Sequence, residues 1–383
     1  MMVVVINMKC PRCNNEDEKY FFKIGNVIYC RKCVQFSRVN VNDSRDVIHS
    51  IHNPFYTNYT LDFELSVKQK EIASKLVDNY KNHMNSYVNV VCGGGKTELV
   101  YDVIQYALSC GHRVCFCVPR KELVRELHKR IQDNFKDMVI GICYGGVKEN
   151  LESQFIICTT HQLYRFENSG FDLIIIDEVD AFPFYGNDVL NAIFDHCVKR
   201  NFIKLSATFK EEDIEGGDVL VMNRRYHGYD LPVPKAIRVP AFLQKYLLLL
   251  ISIFIKRKWI VYVPTIASGE MLYAFLKRFM PNISFVSSAS LDIPGSVDSL
   301  KRNEHYILIS TTLLERGITI ENVHVIVYRG EHNVFDTRTL IQIAGRVGRK
   351  PNFPAGDVLI FCVSRTKEIK QCIKTIRKHN ATV

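Results

Sequence analysis

Uncharged runs of β-branched and aromatic residues alternate with amphipathic stretches along most of this chain, and that alternation decides its fold class. The first series runs VNVVC, a helix opening at Lys96, RVCFCVP, a helix from Lys121, FIICTT and FDLIIIDE. The second runs a helix over 241–257, WIVYVP, a helix from Ser268, ISFVSS, YILISTT, VHVIVYRG, a helix over 337–347, and DVLIFCV. Strands without a polar face must be covered on both sides, which predicts α/β architecture with parallel sheets. A chain of 383 residues fits two or three domains. The boundaries read as a first α/β unit at 66–215, a Gly- and Pro-marked hinge at 216–235, and a second α/β unit at 236–383.

Residues 1–50 have a different texture, and 51–65 read as a connector. Cys10, Cys13, Cys30 and Cys33 form CPRC and CRKC, 16 residues apart. Two such knuckles can close a tetrahedral Zn²⁺ site with no open position, hence a structural one. The other cysteines are scattered. Cys115 and Cys117 share one side of a strand, as buried free thiols do in a reducing compartment.

The start of the chain has no basic region or small-residue cleavage site of an export signal. The longest apolar run, Tyr246–Ile255, is too short to span a bilayer and reads as a buried helix. The expectation is a cytoplasmic protein without an integral membrane segment, held to a membrane only through partners. The net charge of +10 is uneven. Residues 236–383 carry 21 basic and 10 acidic side chains, a net of +11. A polyanion suits such a surface, and so does plain solvent. His49, His52 and the Lys256–Lys258 run read as solvated, Trp259 as core, and the final stretch as a basic amphipathic helix.

The sharpest chemical signal is Val-Val-Cys-Gly-Gly-Gly-Lys-Thr-Glu at 90–98. After a strand, Gly93, Gly94 and Gly95 let backbone N–H groups close around phosphate oxygens. Lys96 would reach the β- and γ-phosphates of ATP, Thr97 would ligate Mg²⁺, and Glu98 completes the loop. Val90 stands where the strict pattern has glycine. Asp177 and Glu178 end the apolar strand LIII, suited to holding Mg²⁺ and polarising an attacking water respectively. Arg346 and Arg349, three apart on an expected helix, suit a phosphoryl transition state.

In order, Gln69, GGGKT, PRKEL, TTHQL, DEVD, SAT, TTLLERGIT and QIAGRVGR resemble the motifs of superfamily 2 helicases. The wording DEVDAFPF, TTHQLYRF and RYHGYDLPVP behind a four-cysteine N-terminus is closer still to the ComFA family of competence ATPases. That resemblance implies two RecA-like lobes behind a zinc module. It implies that Gln69 reads adenine, that Arg120, Thr159, Thr160, Thr311 and Thr312 touch the DNA backbone, and that Ser206 and Thr208 couple ATP state to motion. It places Gly317 near the nucleotide, makes Arg346 and Arg349 arginine fingers, and sets Gln342 by the γ-phosphate. Thr319 replaces a frequent Asp, and Gln342 replaces the His or Tyr of DEAD-box RNA helicases.

The expected function is an ATP-dependent translocase on single-stranded DNA that drives uptake of transforming DNA, with ATP, Mg²⁺ and Zn²⁺ as cofactors. Its expected partners are a membrane DNA channel and other competence proteins. A duplex-unwinding helicase and a non-enzymatic zinc and DNA adaptor remain the alternatives.

Overall fold

The computed structural model describes residues 8–36, 53–180, 182–209, 213–287, 290, 292–311 and 320–381. His49, His52, Thr312, Gly317 and Thr319 lie outside these residues. The chain divides into two compact units. The first is Met1–Asn89 with Lys96–Val221, and the second is Val90–Gly95 with Met222–Val383.

The first unit opens with a hairpin, β1 (Phe21–Ile24) and β2 (Val27–Cys30). Helix α1 (Val67–Lys81) starts with a capping box, in which Ser66 and Gln69 satisfy each other's backbone N–H. Then follow β3 (Ser86–Val90), α2 (Tyr101–Ser109), β4 (Val114–Val118), α3 (Lys121–Asn134), β5 (Ile140–Tyr144), β6 (Val147–Glu149) and β7 (Phe155–Thr159). The unit closes with β8 (Phe171–Asp177), α4 (Asp188–Cys197), β9 (Val198–Ser206) and β10 (Asp218–Met222). Among the described residues the sheet order is β10-β3-β9-β8-β4-β7-β5-β6. Pairing is parallel from β3 to β5, and the β5–β6 hairpin is antiparallel. Every residue of β4 and β7 is buried, as the uncharged runs require.

The second unit contains β11 (Lys235–Arg238), α5 (Gln244–Phe254), β12 (Lys258–Tyr262), α6 (Ile266–Leu276), β13 (Ile283–Val286) and α7 (Ile293–Arg302). It continues with β14 (Tyr306–Ser310), β15 (Val323–Val327), α8 (Thr337–Ala344), β16 (Val358–Cys362) and α9 (Lys367–Ala381). Its strands are all parallel, in the order β11-β16-β15-β12-β14-β13. Alternate residues feed two cores. Ile260, Tyr262, Leu308, Val325 and Val327 enter one, and Trp259, Val261, Ile307, Ile309 and Ile326 the other.

Four expectations change. The helix expected from Lys96 begins as an α-helix only at Tyr101, because a turn and a 3-10 segment (Glu98–Val100) intervene. The hinge expected at 216–235 begins with β10, which joins the edge of the first sheet. Helix α5 is not wholly buried: Leu248 faces the core, while Tyr246, Leu250, Ile253 and Phe254 are exposed. Helix α8 stops at Ala344, before Arg346 and Arg349, because Gly345 caps it. No helix among the described residues is long and apolar enough to cross a membrane.

Trp259 is the single tryptophan and is buried, so its emission reports on the second unit alone. Leu308 is fully buried in the same sheet. Leu308→Ala is expected to cost about 2–5 kcal/mol through lost burial and a residual cavity. The check is the urea midpoint of the Trp259 transition, which should fall while secondary structure before denaturant stays unchanged.

Candidate ATP-hydrolysis site and four-cysteine cluster

In a parallel sheet every strand presents its C-terminal end at one edge, where ligands of α/β proteins bind. Along that edge of the first sheet the motifs follow strand order rather than chain order. The glycine loop follows β3, Ser206 ends the neighbouring β9, and Asp177 ends β8 beside it. Arg120 follows β4, and Thr159 ends β7. On this edge Ser206 and Asp177 thus end neighbouring strands, with Arg120 and Thr159 at the next two.

Within the first unit Lys96 Nζ lies 3.7 Å from Asp177 Oδ1. The Asp177 carboxyl is pushed above the usual range, first by burial. Lys96 pulls it back down and Glu178 raises it further. The chain turns sharply after Asp177: Glu178 has φ 55°, and its N–H donates to Asp177 Oδ1 at 2.8 Å. Two residues on, Asp180 Oδ2 accepts from the Thr208 hydroxyl at 2.5 Å, and Ser206 Oγ accepts from the Thr208 N–H at 2.9 Å. A hydrogen-bonded chain therefore joins the acidic segment to Ser206-Ala207-Thr208. The Thr97 hydroxyl accepts from Arg130 at 2.8 Å, and Arg130 also approaches Glu98 at 3.7 Å.

The loop Val90–Gly95 belongs to the second unit. Gly93 and Gly95 have φ of 82° and 76°, a left-handed conformation that favours glycine. A side chain at Gly94 would collide with Val90 and Met222. In this unit Arg225 is buried, and its guanidinium binds three carbonyls: Cys92 O at 3.2 Å, Gly345 O at 3.1 Å and Gly348 O. Burial pushes the Arg225 guanidinium down from its ordinary value. His227 Nε2 lies 3.1 Å from Gly348 O, and the Tyr226 hydroxyl donates to Arg349 O at 3.3 Å. Arg346 is buried, Gln342 is buried on α8, and Arg349 donates back to Gly345 O at 3.1 Å. Burial first, then the charge of Arg346, pushes Arg349 down.

The arginine pair is thus set by a turn, not by a shared helix face. Gly348 makes that turn with φ 72°, where a side chain would strike Pro354 O. Arg225 was missed as a site residue because its segment reads as a linker. The adjacent arginines in Arg-Arg-Tyr-His-Gly were the available signal.

Other expected residues have structural partners. Gln69 is buried, and its Oε1 accepts from Ser66 N–H at 2.9 Å. Thr160 is buried, and its hydroxyl donates to Val118 O at 3.3 Å, tying the ends of β7 and β4 together. Thr311 follows β14, with its carbonyl accepting from Ser310 Oγ at 2.8 Å.

The four cysteines of the N-terminal knuckles come together and are buried. Cys10 and Cys33 sulfurs are 3.7 Å apart, as are those of Cys13 and Cys30. Four thiolates about 2.3 Å from one Zn²⁺ would have sulfur separations of roughly 3.8 Å, so the cluster is compatible with Zn²⁺. Hydrogen bonds from Cys13 and then Cys33 push the Cys10 thiol down, and the bond to Cys10 in turn pushes the Cys13 and Cys33 thiols up.

Residues 62–211 match the family described as type III restriction enzyme, res subunit, and residues 243–351 match the helicase conserved C-terminal domain. The competence protein ComFA of Streptococcus pneumoniae is 34% identical, over 97% of this chain and 90% of its own length. ComFA of Bacillus subtilis is 32% identical, over 97% of this chain and 85% of its own length. Among solved structures, S. cerevisiae Dbp5 bound to RNA and ADP BeF3 superposes with a TM-score of 0.57 at 17% identity, covering 83% of this chain and 92% of that one. Mycobacterium smegmatis helicase Lhr bound to ssDNA and AMP-PNP gives a TM-score of 0.57 at 14% identity, covering 82% of this chain and 50% of that one. These two likenesses show the fold, a pair of RecA-like units. With sequence likeness to ComFA over nearly its whole length, the chain belongs to the ComFA family of competence proteins, nucleic-acid-dependent ATPases of the helicase type.

Proposed function

We propose that this protein is an ATP-driven translocase on single-stranded DNA that serves the uptake of transforming DNA. The observation that carries the reading is the Lys96–Asp177 pair at the sheet edge, with Asp180 hydrogen-bonded to Thr208 beside it. A carboxylate and an ammonium held at that edge are ready to receive a nucleotide and its cation. The second link gives the site a route to signal its state.

In this reading Gln69 reads adenine, and the N–H groups of Gly93, Gly94 and Gly95 surround the phosphates, with Glu98 and Gly317 beside them. Lys96 neutralises β- and γ-phosphate oxygens. Thr97 and Asp177 hold Mg²⁺, which supplies charge neutralisation at the phosphates when bound. Glu178 orients and polarises water for attack in line with the leaving group. Arg346 and Arg349 stabilise charge on the transferred phosphoryl group, with Gln342 at the γ-phosphate. Arg225 holds the carbonyls of that arginine turn. Arg120, Thr159, Thr160, Thr311 and Thr312 contact the DNA backbone, so sequence preference is low. Ser206 and Thr208 transmit ATP state from Asp180. Cys10, Cys13, Cys30 and Cys33 hold Zn²⁺ as a structural cross-link. The site of action is the inner face of the cell membrane, reached through a DNA channel and other competence proteins.

Steady-state hydrolysis with and without single-stranded DNA tests the motor. DNA is expected to stimulate turnover strongly. Lys96→Ala and Glu178→Gln should each lower it by about 10²-fold or more, the scale of losing one electrostatic or general-base contribution. Absence of turnover in the intact protein would favour an adaptor, and efficient strand displacement would favour a duplex-unwinding helicase.

The raised Asp177 carboxyl gives a pH signature. Folding takes up a proton there, so its stabilising contribution is full below the ordinary carboxylate range. It is lost as pH rises through the raised folded value. Asp177→Asn should therefore stabilise the nucleotide-free protein at neutral pH and remove that part of the pH slope, while abolishing turnover. Chemical denaturation from pH 4 to pH 8 reads the difference.

Helix α9 exposes Lys370, Lys374 and Arg377 opposite its buried Ile369, Cys372 and Ile376. Changing these three to Gln should flatten the log–log salt dependence of single-stranded DNA binding by about 2 units if all three meet phosphates. An unchanged slope would remove α9 from the DNA track.

A further inference from the structure

The four-cysteine module does not hang from the chain as a separate bead. It packs into the same apolar cluster as the first sheet, with Phe36 and the four cysteines joining Leu163, Phe166 and Phe171. At the centre of that contact is an ion pair. Arg12 Nε lies 3.2 and 3.0 Å from the two carboxylate oxygens of Glu167, and the side chains are only 3% and 2% exposed. Arg12 NH1 also donates to Phe36 O at 2.6 Å, and its guanidinium lies 5.4 Å from the Tyr164 ring centre. Phe36 faces His161 and Tyr164 at ring separations of 5.8 and 6.0 Å.

Two placements give this contact meaning. Arg12 is inside the first knuckle, between Cys10 and Cys13, and Phe36 follows the second, three residues after Cys33. Arg12 therefore joins both knuckles at the point where a metal would fix them. On the other side, Tyr164 and His161 lie within the 3-10 helix Thr160–Phe166, and Glu167 caps its end. That helix starts where β7 ends, and Thr160 ties it to Val118, two residues before Arg120.

We propose that Arg12 is a positioning residue that makes the order of the Thr160–Phe166 segment depend on the metal-closed cysteine cluster, and that metal occupancy thereby sets affinity for single-stranded DNA. The physical reason is the cost of a buried charge. A closed cluster holds the Cys10–Cys13 turn, and the turn holds Arg12 against Glu167. An open cluster releases Arg12 and breaks its ion pair with the buried Glu167 carboxylate, and breaking a buried pair from one side is costly. The least costly relief is for the end of the 3-10 helix to move toward water. The affinity consequence rests on the reading above, in which Arg120, Thr159 and Thr160 meet the DNA backbone. The mechanical coupling does not.

The test uses the full-length zinc-loaded protein and four variants: Arg12→Ala, Arg12→Lys, Glu167→Gln and Thr159→Val. Zinc content is read by release to a colorimetric chelator, segment order by hydrogen exchange of peptides covering 158–168, and affinity by anisotropy with a labelled oligo-dT. Arg12→Ala and Glu167→Gln should keep one zinc per chain and lose amide protection over 160–167. Their Kd for DNA should rise about tenfold while DNA-free ATP turnover stays within twofold. Arg12→Lys, which keeps the charge but loses the reach to Phe36, should recover part of the affinity. Wild-type protein stripped of zinc should show the same loss of protection in the same peptides. Unchanged protection in Glu167→Gln, whose cysteine module is untouched, would overturn the coupling even if Arg12→Ala failed to fold. Lost protection with unchanged Kd in every variant, Thr159→Val included, would overturn the DNA reading of the segment and the affinity consequence. Weakened binding in Thr159→Val alone would overturn the role of Arg12.

Discussion

A half-buried carboxylate at the end of an apolar strand sets the terms for the rest of the first unit. Asp177 follows Leu173 to Ile176, all fully buried, so strand β8 delivers a charged group to a place with little water. Burial disfavours the ionised form, and Lys96 at 3.7 Å and the Glu178 N–H at 2.8 Å offset it. The surrounding sheet holds this strand end in place: β8 is flanked by β4 and β9, with Arg120 two residues past the end of β4 and Ser206 at the end of β9.

How far this was legible in the sequence follows from the range of each interaction. The parallel sheets could be read because β-branched runs with no polar face leave one way to be buried. The glycine loop, the acidic pair and the cysteine knuckles could be read because their chemistry is local, within three or four residues. Arg225 could not: its partners Gly345 and Gly348 are 120 and 123 residues away. Gln342 to Arg349 keeps the spacing of a helix, whereas the helix ends at its cap Gly345 and Gly348 turns the chain with φ 72°, which spacing does not record. Helix α5 was read as buried because its composition is apolar. Hydrophobicity states what a side chain prefers, not whether a neighbour exists to cover it.

The N-terminal module shows why a small cysteine fold needs its host. Its hairpin buries little: Phe22, Ile24 and Val27 are exposed. A segment this short cannot fund a core of its own. It gains one by sharing Phe36 with Leu163 and Phe166, and by placing Arg12 over Tyr164. The interface is thus more than a tether. A buried ion pair is poor at adding net stability, since desolvation offsets most of its attraction, but breaking it on one side is costly. That asymmetry suits a contact that fixes orientation.

The remaining cysteines show that the same sulfur spacing can serve opposite chemistry. Cys115, Cys117 and Cys158 approach one another at 3.5 to 3.7 Å, much as the knuckle cysteines do. Their surroundings differ. Cys115 and Cys117 are pushed up first by burial, and Cys158 first by its contact with Cys115, so all three stay neutral thiols. They sit between strands whose every residue is buried, and sheet pairing sets Cys117 directly opposite Cys158. Neutral thiols at van der Waals separation pack as small hydrophobic groups. The knuckle cysteines instead come from different local structures: Cys30 ends β2, Cys33 is in a 3-10 helix, and Cys10 is in a turn, where its N–H donates to Asn15 O and its carbonyl accepts from Asn14 N–H. Sulfur distance alone therefore does not separate the two clusters; the N-terminal one brings together four thiols, the number a closed tetrahedral site takes, whereas the strand cluster has three.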